Sequence, residues 1–270
     1  MLIIAGSDSG GGAGIQADIK TVAALGGYAM TAVTAITVQN TYGVSGIHAV
    51  PDEIIGQQIR TVLDDIGADC IKIGMIGSAA AGNAILDALY DYAGIPMVVD
   101  PVMVATSGDR LGDDETGHII RNRFVPRATV VTPNAPEAAM LADMNISTKA
   151  DLIEAAQVIQ NLGAAAVLAK GGHLDGDEVI NVFLEGTSEA IFAHGRIESR
   201  HTHGTGCTLA SAIAAFIAQG DAPLEACRKA TLYVREAIRH APGFGGGHGP
   251  VNHALRPLVE AGRVVSFEPY

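Results

Sequence analysis

Apolar runs of four or five residues recur along this chain. Each is closed by a glycine, a proline or a polar pair, and a stretch with apolar positions every three or four residues follows. The first run, residues 2–5, leads into Gly6-Ser-Asp-Ser-Gly-Gly-Gly-Ala-Gly14, and the pattern beyond it predicts a helix over 15–25. Residues 30–38 read as a strand ending in Gln39-Asn40. Between 51 and 66, Ile54, Ile55, Ile59, Val62, Leu63 and Ile66 share one helical side. Further strands are predicted at 70–76, 96–100, 128–132 and 165–169. Helices are predicted at 79–92, at 113–123, over a short span opened by Glu137, and at 148–162, where Ser147 or Thr148 is the cap. Residues 178–184 read as a sheet-edge strand with a short partner at 190–193. Two helices follow, 205–218 and 224–240, and the first is so uniformly apolar from Leu209 to Ala218 that it must be buried.

Strand and helix in alternation, with short connections, predict an α/β protein: a largely parallel sheet between helical layers. The consecutive strands after 178, with no helix between them, favour an open sheet over a barrel. No linker or composition break divides the chain, so one domain over 1–270 is expected. Composition adds little to this picture: 48% hydrophobic, 17% charged, 33 glycines and no tryptophan suit a compact enzyme with many tight turns. Charge adds more. With 17 basic and 29 acidic residues the net charge is −12, which argues against nucleic acid or an anionic membrane as the main partner. It says nothing against phosphorylated ligands, which local loops can bind. Three scattered cysteines do not make a disulfide framework or a zinc cluster. The opening residues lack the pattern of a signal peptide, and no apolar run approaches the roughly 18–20 residues of a membrane span, so a cytoplasmic location is expected.

In an open parallel sheet, ligands bind outside the carboxyl ends of the strands. Here those ends carry Gly6-Ser7-Asp8, Gln39-Asn40, Gly74-Met75, Asp100-Pro101, Asn134 with Glu137, and Lys170-Gly171-Gly172. The glycine loop satisfies a relaxed dinucleotide pattern at Gly12, Gly14 and Ala17. However, no acid follows the next strand to grip a ribose, and the Lys-Ser/Thr of a phosphate loop is missing. It reads as a lid or substrate cradle, with a structural turn as the plainer alternative, and Asp18 and Gln39 become candidate polar contacts. His201-Thr-His-Gly-Thr-Gly-Cys-Thr208 precedes the buried helix. Its glycines leave amides unpaired at the positive helix end, a site for an anion such as phosphate. Cys207 lies in the first turn, where the same field favours a thiolate; a glycine-loosened helix start over a buried cysteine is the alternative. That positive end also disfavours zinc on His201, His203 and Cys207. Cys70 and Cys227 read as core residues. Two carboxylates, a lysine and an anion site together suit phosphoryl transfer. Asp100 and Glu137 would hold Mg²⁺ directly or through its waters, and Lys170 would neutralise a phosphate oxygen. The plainer alternative is an acidic pair with a structural lysine.

Several segments, in this order, carry a resemblance: Ala5-Gly-Ser-Asp-Ser-Gly-Gly-Gly-Ala-Gly-Ile-Gln-Ala-Asp18, Thr37-Val-Gln-Asn40, Lys72-Ile-Gly-Met75, Asp100-Pro-Val-Met103, Thr132-Pro-Asn-Ala-Pro-Glu137, Lys170-Gly-Gly-His173, His203-Gly-Thr-Gly-Cys-Thr208 and Gly249-Pro-Val-Asn-His253. Over nearly the whole chain they resemble the hydroxymethylpyrimidine/phosphomethylpyrimidine kinases of thiamine biosynthesis. The resemblance implies a ribokinase-like three-layer αβα sandwich and a homodimer. It implies two ATP-dependent steps, phosphorylation of 4-amino-5-hydroxymethyl-2-methylpyrimidine and then of its monophosphate. It also implies roles: Gly6, Asp18, Gln39 and Met75 at the pyrimidine; Lys170, Asn134 and Thr208 at ATP; Asp100 and Glu137 near Mg²⁺. Gly204, Thr205, Gly206 and Cys207 would form the anion hole with its catalytic cysteine, and the loop 243–249 would lie near the nucleotide. Two positions depart from the pattern. Ser9-Gly10 stands where the family often has Pro-Ser, and Thr106 where some members have Lys, so no phosphate contact is assigned there. The nearest rival is a pyridoxal, pyridoxine or pyridoxamine kinase, whose substrate ring and hydroxymethyl group are alike. A non-catalytic pyrimidine sensor would be expected to lack Asp100, Glu137, Lys170 or Cys207, and a NAD-dependent enzyme is disfavoured by the missing ribose acid.

Overall fold

Parity of side chains along the central strands decides which helices cover which face of the sheet. The structure is a computed structural model and describes residues 1–103 and 112–270; Thr106 lies outside the described residues. In chain order the strands are β1 (Leu2–Asp8), β2 (Met30–Asn40), β3 (Gly43–Ala49), β4 (Ile71–Ile73), β5 (Met97–Val99), β6 (Val130–Val131), β7 (Ala166–Lys170), β8 (Glu178–Glu185), β9 (Ser188–Gly195), β10 (Leu255–Glu260) and β11 (Arg263–Pro269). The first nine form one sheet in the order β3-β2-β1-β4-β5-β6-β7-β8-β9. Pairing is parallel from β2 across to β7, and antiparallel where β3, β8 and β9 extend the two ends. The open α/β sandwich expected from the pattern is what forms.

The helices are α1 (Gly14–Ala24), α2 (Asp52–Asp65), α3 (Ala79–Ala88), α4 (Asp114–Ile119), α5 (Ala135–Ala142), α6 (Lys149–Asn161), α7 (Thr205–Ala218) and α8 (Pro223–Arg239). Leu2, Ile4, Ile71, Ile73, Met97, Val99, Val131 and Val167 pack with α2, α3, α5 and α6 on one face. Their neighbours Ile3, Ala5, Val98, Val130, Ala166 and Leu168 pack with α1, α7 and α8 on the other. Two-residue alternation along buried parallel strands puts apolar groups on both faces, so these strands read as unbroken apolar runs. α7 is buried from Thr208 to Phe216, as its all-round apolar composition requires.

Side-chain caps set half of the helix starts. Ser78 caps α3, Asp113 caps α4, and Thr148, rather than Ser147, caps α6 in a reciprocal box with Asp151. Asn134 and Glu137 form the same box on α5, which therefore begins two residues before Glu137. The helix expected over 113–123 stays α-helical only to Ile119, then widens into a π turn and a 3₁₀ turn containing Pro126. Four strands differ from expectation. β8 is paired on both sides, so β9 is the sheet edge. β3 and the β10–β11 hairpin were not anticipated: β3 carries Gly43 and Gly46, β10 carries Pro257, and both lie largely exposed, so neither has a buried apolar period to show.

Candidate active site

The carboxyl ends of the parallel strands open onto a cleft of about 1250 Å³. One end of it is built by the glycine loop. Asp8, the last residue of β1, accepts the amides of Gly10 (2.7 Å), Gly12 (3.0 Å) and Ala13 (2.8 Å), and its Oδ2 lies 2.9 Å from His203 Nε2. Burial pushes the Asp8 carboxyl up, but the His203 contact and the amides outweigh it and hold the group below its ordinary value. Gln39, near the end of β2, is pinned to Ser9 by two 2.9 Å bonds, and its Oε1 accepts the Thr37 hydroxyl at 3.0 Å. Gly6 and Met75 close this end; a Cβ on Gly6 would sit 2.4 Å from Met75 Cε.

The start of α7 forms the middle. Gly204, its N-cap, has φ of +80°, and a Cβ there would fall 1.8 Å from the Gly12 carbonyl oxygen. No side chain caps the helix. The Thr205 N–H uses the Thr202 carbonyl and the Thr208 N–H uses that of Gly204. The Gly206 and Cys207 amides are left without a partner among the described residues, at the positive end of a 14-residue helix. A Cβ on Gly206 would lie 3.4 Å from Lys170 Nζ and 3.5 Å from Asp100 Oδ2, so this helix end faces those two charges. Lys170 Nζ is 3.1 Å from Asp100 Oδ1 and 4.0 Å from Glu137 Oε2. Asp100 Oδ1 also accepts the Thr132 hydroxyl, and Glu137 Oε2 accepts the Asn134 amide. Burial disfavours the Lys170 charge, yet Asp100 and Glu137 hold its pKa above the usual value. Burial raises Glu137 to about 7, with Lys170 opposing and Asp100 adding.

Cys207 corrects one expectation. Cys207 is half-buried and lines the cleft, yet burial of the thiol pushes it up to about 12. Lys72 and a bond from the Gly14 amide work against that burial without overcoming it. The helix field does not make a resident thiolate here. Cys70 and Cys227 are buried core residues as expected.

Two assigned residues lie behind the wall of the cleft rather than on it. Asp18 is fully buried: its Oδ2 is 2.8 Å from Lys72 Nζ and its Oδ1 accepts the Ser211 hydroxyl at 2.7 Å. Burial pushes Asp18 up, whereas Asp18 holds Lys72 up; at 2.8 Å, with a hydroxyl on the other oxygen, the contact is an ion pair. Both carboxylate oxygens are thus occupied. Thr208 is also buried, its hydroxyl 3.0 Å from His253 Nε2. The loop 243–249 packs on the β2–β3 turn, where the His248 and Gly247 amides bond to Thr41. Its far end reaches the start of α7, where the Gly249 carbonyl accepts the His203 amide at 3.1 Å.

Sequence reasoning gave no role to Asp8, His203, Lys72 or Arg196. A lone lysine inside an otherwise apolar strand was the visible sign of Lys72. Arg196 gave none: its guanidinium donates to the carbonyls of Gly172 (2.9 Å), Leu174 (2.7 Å) and Gly176 (2.9 Å), pinning the loop after β7 at the far end of the cleft. There Val179, Thr231, Val234 and Ile238 line a less polar lobe beside His173 and Arg235.

Comparison with known proteins gives the family. Residues 8–252 match the family model described as phosphomethylpyrimidine kinase. The chain is 49% identical to the thiamine biosynthesis bifunctional protein ThiED of Geobacter sulfurreducens over 94% of its length, and spans about half, 52%, of that protein. It is 46% identical to the hydroxymethylpyrimidine/phosphomethylpyrimidine kinase of Rhizobium meliloti, over 94% of this chain and 97% of that one. Among solved structures it resembles the ADP complex of Bacillus subtilis pyridoxal kinase, with TM-score 0.87, 34% identity, and 94% and 96% of the two chains covered. It also resembles the phosphomethylpyrimidine kinase of Clostridium difficile, with TM-score 0.78, 39% identity, and 88% and 98% covered.

Proposed function

The chain belongs to the phosphomethylpyrimidine kinase family, and we propose that it phosphorylates 4-amino-5-hydroxymethyl-2-methylpyrimidine with ATP and then converts the monophosphate to the diphosphate. The observation that carries this reading is the free Gly206 and Cys207 amides facing Lys170 and Asp100, with Gln39, Asp8 and Met75 on one side and an apolar lobe on the other. Phosphoryl transfer needs positioning and charge stabilisation more than covalent help, and this arrangement supplies both. The amides take charge that builds on the transferred group, and Lys170 faces the phosphates. In a carboxylate–imidazole contact the Asp8 oxygen only accepts, so His203 Nε2 donates. The Gln39 carboxamide nitrogen, 3.4 Å from it, therefore keeps its N–H groups for the pyrimidine.

The residues fit Mg²⁺ brought in with the nucleotide. Asp100 Oδ2 and Glu137 Oε1 are hard oxygen donors with no partner among the described residues, while no cluster of three potential ligands occurs there to form a complete cage. When bound, the ion would neutralise phosphate charge; Asp100 and Glu137 would hold it, directly or through water. Cys207, protonated near neutrality, orients the hydroxymethyl oxygen in the first step, whose proton passes to an oxygen of the transferred phosphoryl group as the new O–P bond forms and the bond to ADP breaks; the second acceptor, already anionic, has no proton to lose.

Incubation with Mg·ATP and the hydroxymethylpyrimidine, followed by mass analysis, should show a monophosphate and then a diphosphate. Turnover of pyridoxal without any diphosphate would instead favour the reading suggested by the pyridoxal kinase neighbours. A pyrimidine bound tightly with no ATP consumed would mark a non-catalytic binder. The same reading places the protein in the cytoplasm as a homodimer.

A further inference from the structure

Asp8 of the glycine loop and His203 at the start of α7 are 195 residues apart in the chain, yet the two segments touch through contacts that tolerate almost no displacement. A Cβ on Gly204 would overlap the Gly12 carbonyl oxygen, and one on Gly12 would lie 2.5 Å from His203 Cδ2. The Gly14 amide bonds to the Cys207 sulfur. Between the two segments lies one buried charged contact, Asp8 to His203 at 2.9 Å, whose side chains are 3% and 9% exposed. Asp8 gathers three loop amides on its two oxygens, and His203 is held by its own amide to the Gly249 carbonyl at 3.1 Å. Loop order and helix-start order therefore meet at one buried carboxylate–imidazole contact, with the Gly14–Cys207 bond and the Gly12–Gly204 approach packed around it.

We propose that Asp8 and His203 are positioning residues that seat the glycine loop on the start of α7, so that the acceptor pocket and the anion-binding amides form together and exclude water together. The inference rests on the kinase reading above. Neither side chain needs to touch a reacting atom. Their effect is to present Gln39 and the pocket edge in register with the Gly206 and Cys207 amides, since small displacements of positioned groups are costly in rate. A loop that is not seated admits water to the transferred phosphoryl group, and water then competes with the alcohol.

The test compares His203→Leu, which removes the donor, with His203→Gln, whose amide nitrogen reaches about as far as Nε2. For each, the phosphate released to water is measured against phosphopyrimidine formed. His203→Leu is expected to raise that ratio at least tenfold and to raise the acceptor KM, with His203→Gln within about threefold of the unmodified protein. A ratio unmoved in His203→Leu, or raised as far in His203→Gln, would overturn the proposal. Should His203→Leu not fold, Asp8→Asn is read by the same ratio. Amide exchange gives a readout independent of substrate: in His203→Leu, exchange at residues 10–13 and at the hydrogen-bonded amides of residues 203, 205 and 208 should accelerate together by at least tenfold. Acceleration at only one of the two segments sinks the coupling even if the wild-type protein proves to phosphorylate another compound. An unmodified protein that makes no phosphopyrimidine sinks the kinase reading and leaves the exchange test standing.

Discussion

Lys72 shows how one side chain's environment overrides its type. It is fully buried between Ile71 and Ile73 on the face that packs against α1 and α7, and Asp18 with Ser211 makes that position habitable. Removing one partner of such a pair strands the other charge, whereas removing both does not. Lys72→Met should therefore lose about 3–5 kcal/mol in urea unfolding, and Lys72→Met with Asp18→Asn should recover most of it. A double variant as unstable as the single would show that shape, not charge, matters there. Glu137 gives a pH signature. Its folded pKa of about 7 lies above the ordinary 4.5, so the folded state binds the extra proton. Its contribution is full below pH 4.5 and is lost as pH rises through 7, by up to about 3 kcal/mol. The fall in urea midpoint between pH 5 and 8, without metal, should be smaller in Glu137→Gln; equal falls would refute this. The sequence showed Asp100, Glu137 and Lys170 because each closes a strand or opens a helix. It misdirected on Asp18, because whether a residue one turn into α1 faces the cleft or the core depends on how the helix is rotated against the sheet.

At the scale of elements, the start of α7 is where local conformation and function meet. Gly204 is in the left-handed region and against the Gly12 carbonyl, so Gly204→Ala meets both backbone strain and overlap. We expect it to lower kcat/KM for both acceptors by at least a hundredfold while Tm falls by only a few degrees, because the helix beyond is held by its buried apolar length. A loss confined to one acceptor would show that the hole is not shared. The helix itself was plain in the sequence from its apolar length, but its start read equally as an anion site or as a glycine-loosened turn over a buried cysteine until Asp100, Glu137 and Lys170 were set beside it. The caps were legible from local sequence. The β3 strand and the β10–β11 hairpin were not, since exposed antiparallel pairs are specified by partners distant in sequence rather than by their own pattern.

Across the whole molecule, the sheet is closed at neither end, and the β2–β3 end is apolar. Ile36, Val38, Tyr42 and Ile47 are all at least half exposed there. Such a patch on an edge hairpin is a surface that a second copy can cover, which fits the proposed homodimer. Val38→Asp with Ile47→Lys should give a monomer by light scattering; an unchanged mass would place the interface elsewhere. The alternation of strand and helix was enough to read the sandwich, because parallel strands buried on both faces carry their own signature.

The Arg196 clamp has a consequence for how the chain can be cut. Three carbonyls of one loop depend on a single guanidinium, each such bond contributing about 1.5–3 kcal/mol. With Arg196 in place, the backbone around Leu174 cannot extend into a protease groove; without its side chain, the middle of the loop keeps only the turn bond from Leu174 to Gly171, and the ends keep the Gly171 amide on Asn181 Oδ1 and the Arg196 amide on the Asp177 carbonyl, among the described residues. Arg196→Ala should turn this loop into the first chymotryptic cleavage point of the folded protein, splitting it at Leu174 into two fragments visible on a gel. Cleavage elsewhere first would mean the loop is held by something other than that one side chain.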